Sequence, residues 1–118
     1  VINEKGEFIT GLIAPGISIC ADALYQRAAQ LPKIEIKKPK SLIVKNTVGS
    51  IQAGIVLGHI GQTIHIIKEL KKELNLPDMK VIATGGLAKV IDSDKTIFDV
   101  LDPTLTLKGL KILYEKNK

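Results

Sequence analysis

The chain has 118 residues, of which 45% are hydrophobic and 3% aromatic, and its formal net charge is +5. Such a length suits one domain with its own core. No apolar run reaches the roughly 18 residues of a membrane span and no signal-like segment opens the chain, so we expect a soluble, cytoplasmic protein. One cysteine and two histidines exclude an intrachain disulfide and a zinc cluster, and Cys20 is expected in the core.

The positive charge of the chain does not indicate nucleic-acid binding. Lysines are spread along the chain, and the aromatic side chains on which bases stack are few. The four lysines between residues 33 and 40 alternate with Ile34 and Ile36, which predicts a short strand with its charges on a solvated face. An anionic ligand beside these lysines is the alternative.

The first 32 residues predict a hairpin followed by a helix. Residues 1–14 form the hairpin around Lys5-Gly6. Because the chain begins within a strand and without methionine, we expect it to be part of a longer protein. Pro15-Gly16 ends the return strand, and apolar residues at helical spacing predict a helix over 17–31 that Pro32 stops.

A strand over 34–37 and a loop lead into a second, longer helix. Asn46 or Thr47 caps this helix, which is expected to continue to about Leu76, just before Pro77-Asp78. His59 and His65 lie on it without acidic or cysteine neighbours at ligand spacing, so both are expected to be surface or packing residues.

One stripe of the second helix has almost no side chain. A glycine inside a helix costs about 1 kcal/mol relative to alanine, so a compensating close approach is expected. We expect a helix of the same chain to pack against this stripe. A subunit contact or a ligand is the alternative. The stripe consists of Ser50, Gly54, Gly58 and Gly61.

The turn over residues 83–88 is the strongest local signal for a ligand. It has the sequence Ala-Thr-Gly-Gly-Leu-Ala and follows the apolar run 79–82. A strand that ends in such a turn lets a ligand lie against bare backbone, because glycine has no Cβ and adopts positive φ readily. A plain turn between a strand and a helix is the alternative.

The elements around this turn complete an α/β pattern. A strand is predicted over 80–83 and a short helical turn over 87–91, followed by an extended segment over 98–101. Asp102-Pro103 breaks that segment, and Thr106 is expected to cap a last helix. The apolar face of this helix carries Leu107, Leu110, Leu113 and Tyr114.

Four segments together resemble the type III pantothenate kinases, in their order and spacing. The resemblance covers essentially the whole chain and corresponds to the C-terminal half of that family. It implies an α/β, ribonuclease-H-like lobe of the actin-like ATPase superfamily, which includes acetate and sugar kinases, Hsp70 chaperones and actin, with a mixed sheet and packed helices. The segments are 11–17 with 21–24, 45–54, 81–88 and 102–110.

The same resemblance implies a division of the site between two lobes. Residues 1–118 would form the single C-terminal lobe, with the N-terminal lobe absent from this chain and ATP in the cleft between the lobes. Thr47, with Asn46, would bind pantothenate. The catalytic aspartate, the phosphate loop and the loop for a monovalent cation would precede Val1, so no catalytic or metal-binding residue is expected in this chain. The residues expected to line ATP are Thr84, Gly85, Gly86 and Leu87.

The implied activity is phosphorylation of pantothenate to 4'-phosphopantothenate, the first step of coenzyme A biosynthesis. A homodimer, ATP, Mg²⁺ and a monovalent cation (K⁺ or NH₄⁺) belong to this expectation, as does inactivity of the chain alone. Asp22 and Asp102 are interpreted as structural. The alternatives are a non-enzymatic transcriptional accessory module on the same fold, which a clustered basic face would favour, and a lobe with no activity. A nucleotide-shaped pocket at 83–88 would favour the kinase.

Overall fold

The computed structural model describes residues 1–118 and contains four helices and two short strands. The α/β class is confirmed, but the sheet is a two-stranded parallel one instead of the expected larger mixed sheet. Ile82 lies opposite Val100 and Ala83 opposite Leu101. None of the helices combines the length and apolar character needed to cross a membrane. In chain order the elements are α1 (Ile17–Arg27), α2 (Thr47–Glu73), β1 (Ile82–Ala83), α3 (Ala88–Ile91), β2 (Val100–Leu101) and α4 (Leu105–Lys116).

The N-terminal hairpin is present in a short form. Ile2 and Phe8 form a single antiparallel bridge, and the turn between them places Gly6 at φ +79°. The Asn3 side chain accepts hydrogen bonds from the backbone N–H groups of Lys5 and Glu7 at 3.0 and 2.9 Å. The expected return strand as far as Ala14 is wrong, since no ladder continues after the bridge.

The first helix ends four residues before the predicted limit of Leu31. α1 stops at Arg27, and its C-cap Ala28 is already extended. Gln30 then has φ +68°, a left-handed conformation that no helix continues. The predicted stop at Pro32 is therefore wrong, because the chain leaves the helix before the proline acts on it.

The strand predicted over 34–37 is also wrong. This segment is extended, but no neighbouring strand pairs with it. It is fixed instead by the buried Gln52 side chain, whose Nε2 donates to the Glu35 carbonyl at 2.9 Å. Lys38 is exposed, as expected for the solvated face, and its Nζ lies 2.7 Å from Asp94 Oδ2.

The long helix begins and ends with side chains suited to those positions. Asn46 is the N-cap, and its Oδ1 accepts the Gly49 N–H at 2.7 Å. At the other end Asn75 has φ +55°, and Leu76 N–H donates back to the Lys71 carbonyl at 2.9 Å. This is a Schellman arrangement with asparagine in the left-handed position, and it ends α2 three residues before the predicted Leu76.

The last helix begins earlier than predicted. Thr104 is its N-cap and Thr106 lies inside the helix, so the predicted cap is wrong. The reason is the Asp102 carboxylate, which accepts from the Thr104 N–H and hydroxyl at 3.0 and 2.9 Å. Its second oxygen accepts from Lys108 Nζ at 2.7 Å. Asp102 thus has the structural role expected of it.

The glycine stripe has no neighbour in the chain. A Cβ built on Gly54, Gly58 or Gly61 meets no atom within 4 Å, and Ser50 is exposed as well. The expectation that a helix of the same chain lies against the stripe is therefore wrong. α1 does contact α2, and the buried residues of α2 include Ile51, Ala53 and Val56.

The core is small and sits between α1, α2 and the short sheet. Seven of the 118 residues are buried, and Val56 alone is completely inaccessible. Cys20 is half-buried, at the edge of this core. The radius of gyration is 17.1 Å, whereas a compact domain of this length has about 13.5 Å. The chain is therefore open, and large apolar side chains remain on its surface.

Candidate functional site

The turn after β1 forms the floor of a cleft of about 580 Å³. β1 ends at the buried Ala83, and Gly85 has φ +103°, a conformation that side chains rarely adopt. No atom lies within 4 Å of a Cβ built on Gly85 or Gly86. The backbone of this turn is therefore open to a ligand. The structure brings all four predicted nucleotide residues, Thr84, Gly85, Gly86 and Leu87, to the lining of this one cleft.

Two helices form the other walls of this cleft, which we call the glycine-turn cleft. The first turn of α1, with the preceding Gly16, lines one side. α2 contributes His59 and Thr63, while Phe98 closes the end near β2. The cleft therefore joins three parts of the chain that lie far apart in sequence.

His59 links two of these walls directly. Its Nε2 lies 3.1 Å from the carbonyl oxygen of Pro15, the residue before the α1 N-cap. A carbonyl only accepts, so the imidazole donates from Nε2. His59 is half-buried and joins α2 to the segment before α1, and its place at the cleft was not predicted. His65 is exposed, as expected.

A second cleft, of about 740 Å³, opens at the start of α2. Thr47, Asn46 and Lys45 provide its polar groups, and we call it the Thr47 cleft. Thr47 is exposed and its hydroxyl has no hydrogen-bond partner in the chain, because Asn46 provides the cap instead. The Asn46 side chain uses Oδ1 for the cap, which leaves its Nδ2 group as a donor. The other lining residues are Leu24, Leu31, Val44, Ser50, Ile51, Gly54 and Ile55.

The two predicted substrate sites thus occupy separate clefts along one helix. From Thr47 to His59 is twelve residues, or about 18 Å of helix at about 1.5 Å per residue. Because α2 is a single continuous helix over Thr47–Glu73, it fixes the distance between the clefts.

Asp92 organises the loop beside the glycine-turn cleft. Partial burial opposes its ionisation, but hydrogen bonds from the N–H groups of Phe98, Thr96 and Ile97 outweigh this and lower its pKa. The N–H to carboxylate distances are 2.8, 2.7 and 3.0 Å respectively. Asp92 is therefore an ionised loop anchor, and sequence reasoning missed it because no motif precedes it.

Three further aspartates form hydrogen bonds or ion pairs with other groups of the chain. The Lys38 side chain lowers the pKa of Asp94, the Val81 N–H lowers that of Asp99, and the Lys108 side chain lowers that of Asp102. Each carboxylate thus holds a backbone group or a lysine, and none is poised as a general base. The same ion pairs neutralise Lys38, Lys80 and Lys108, so these lysines do not contribute to a free basic face.

No group of three or more His, Cys, Asp or Glu side chains in this chain comes together in a way that could hold a metal ion.

Comparison with protein families bears on the Thr47 cleft. A family model for type III pantothenate kinase matches residues 1–69. The chain belongs to the type III pantothenate kinase family. The matched residues include Asn46, Thr47 and His59, whereas the glycine turn and α4 follow the matched range. Membership indicates pantothenate kinase function, and the family is ATP-dependent.

Proposed function

We propose that this chain is the C-terminal, substrate-binding lobe of an enzyme that phosphorylates pantothenate to 4'-phosphopantothenate with ATP. The observation that carries the proposal is the free Thr47 hydroxyl at the head of the helix that also forms a wall of the glycine-turn cleft. Family membership supplies the class of reaction, and the two clefts supply one place for each substrate.

Pantothenate is assigned to the Thr47 cleft on chemical grounds. Its branched aliphatic part suits the apolar lining formed by Leu24, Val44 and Ile51. Its hydroxyl and amide groups suit the Thr47 hydroxyl and the free Nδ2 of Asn46. Lys45 lies at the same cleft and is suited to the terminal carboxylate.

ATP is assigned to the glycine-turn cleft, where Thr84, Gly85, Gly86 and Leu87 would contact the adenosine. The open backbone of the turn supports this assignment, because a flat base and ribose can lie directly against it. The primary hydroxyl of pantothenate would attack the γ-phosphorus, the bond to the β,γ-bridging oxygen would break so that ADP leaves, and the hydroxyl proton would pass to an aspartate of the N-terminal lobe. The residues of this chain bind and orient, while Mg²⁺ and the monovalent cation would be held elsewhere in the enzyme.

The proposal includes a two-lobed protomer and a homodimer. The small core and the exposed apolar side chains support further contacts, since an isolated domain of this size buries more of its apolar surface. The chain alone is therefore proposed to be inactive, because phosphoryl transfer depends on positioning groups from both lobes.

Substitution of Thr47 tests the proposed pantothenate site in the enzyme with both lobes present. Thr47→Ala removes the hydroxyl without removing the helix cap, which is Asn46, so the fold should be unaffected. We expect the KM for pantothenate to rise and kcat/KM to fall a few-fold to about tenfold, the equivalent of one neutral hydrogen bond. Thr47→Ser should retain activity, and the KM for ATP should change little.

The control is Thr106→Ala, since Thr106 is an exposed threonine inside α4 and away from both clefts. It should leave both KM values unchanged. An equal rise in the two KM values for Thr47→Ala, or no kinetic effect at all, would show that pantothenate does not bind Thr47.

A further inference from the structure

His59 makes a side-chain hydrogen bond that joins α2 to the segment just before α1. The Nε2 group donates to the Pro15 carbonyl at 3.1 Å, one residue before the N-cap Gly16. That N-cap has no side-chain hydrogen bond of its own, because glycine has no side chain to cap the helix. The start of α1 therefore depends on contacts from outside the helix.

This start is also a wall of the glycine-turn cleft. Gly16 and the first residues of α1 face the turn that contains Gly85 and Gly86 across a space of about 580 Å³. Ile17 is buried and anchors the wall by apolar contact. Apolar contact is non-directional, whereas the hydrogen bond from His59 fixes a distance and an angle.

We propose that His59 is a positioning residue for the nucleotide: it holds the α1 wall against α2, and both line the same cleft as the glycine turn. This inference rests on the proposed function in one respect, namely that the ligand of this cleft is ATP. His59 acts through the Pro15 carbonyl and the α1 backbone. It is a partly buried side chain on the continuous helix α2, so the wall is held by the same element that carries Thr47.

The test is an ATP titration of the ¹⁵N-labelled 118-residue chain, followed through the amide signals of the glycine turn. His59→Ala should weaken ATP binding about three- to tenfold, as expected for one lost hydrogen bond. His59→Gln should restore most of the affinity, because the glutamine amide can donate from a similar position. The matched control is His65→Ala, on the same helix but exposed, and it should bind ATP like the unmodified chain.

Amide hydrogen exchange provides a second readout that does not need ATP. The Cys20 N–H donates to the Gly16 carbonyl at 3.1 Å and thus reports on the first turn of α1. We expect faster exchange at Cys20 in His59→Ala, and exchange close to that of the unmodified chain in His59→Gln and His65→Ala.

Three results would overturn the inference: unchanged ATP affinity in His59→Ala, failure of His59→Gln to rescue it, or an equal loss in His65→Ala. If the unmodified chain does not bind ATP, the proposed nucleotide site is wrong. Exchange at Cys20 then decides whether His59 positions the wall, and unchanged exchange in His59→Ala overturns that role too.

Discussion

Asn46 and Thr47 are adjacent residues with different roles at the start of α2. Either side chain is chemically able to cap a helix, so the sequence alone left the cap open between them. The structure assigns the cap to Asn46, with its Oδ1 2.7 Å from the Gly49 N–H. This frees the Thr47 hydroxyl, and it is the reason a Thr47 variant can separate substrate binding from stability.

Asp92 gives a residue-scale prediction about acid stability. Its carboxylate accepts three backbone N–H groups, and its pKa lies below the ordinary value of 3.8. A carboxyl group with a lowered pKa in the folded state stabilises the fold at pH values above 3.8, and this contribution is lost as the pH falls through the folded-state value. We expect the melting temperature to fall below about pH 4, and the fall to be smaller in Asp92→Asn.

The comparison is made by thermal unfolding from pH 7 to pH 2. At pH 7 Asp92→Asn should melt at a lower temperature than the unmodified chain, because an amide offers one acceptor oxygen instead of two. The matched control is Asp22→Asn, because the Asp22 carboxylate accepts no such set of backbone N–H groups. Parallel curves for Asp92→Asn and the unmodified chain would refute the anchoring role of Asp92.

At the scale of elements, local patterns predicted the helices better than the strands. The helical spacing of apolar residues in 47–73 is a property of that segment alone, and the end of α2 was predicted to within three residues. A strand also needs a neighbour at a defined register. Residues 34–37 have the alternation but no neighbour, and their position is set by a distant side chain, Gln52. Sequence patterning has no means to indicate such a contact.

The glycine stripe gives an element-scale prediction. Whether alanine at Gly54 raises or lowers the stability of the chain shows whether anything packs against the stripe. Gly54 has open space where a Cβ would lie, so Gly54→Ala gains helix propensity without a clash. We expect the free energy of unfolding of the monomeric chain to rise by about 0.5 to 1 kcal/mol. Chemical denaturation measured at low protein concentration gives this value.

Gly49→Ala is the contrasting variant on the same helix. A Cβ there would lie 3.1 Å from both Asn46 Oδ1 and Val44 Cγ1, so it disturbs the cap as it gains propensity. We expect Gly49→Ala to be less stable than Gly54→Ala. A destabilised Gly54→Ala, especially with a loss of dimer, would instead show that a second chain lies against the stripe.

For the whole molecule, the main difference from expectation is how little of the chain is buried. Leu107, Leu110, Leu113 and Tyr114 form the predicted apolar face of α4, but all four are exposed. The periodicity predicts an apolar face, yet it does not say what covers it. The sequence therefore predicted the α/β class, whereas the extent of the sheet and core depends on contacts beyond any single segment.

The central claim is that this chain supplies substrate-binding surfaces to a pantothenate kinase whose catalytic groups lie in a second lobe. The most direct measurement is formation of 4'-phosphopantothenate from pantothenate and ATP, by the chain alone and by the chain joined to the N-terminal lobe of a family member. We predict no product from the 118-residue chain and clear turnover from the joined protein. Turnover by the chain alone, or none by a folded joined protein that binds ATP, would contradict the account.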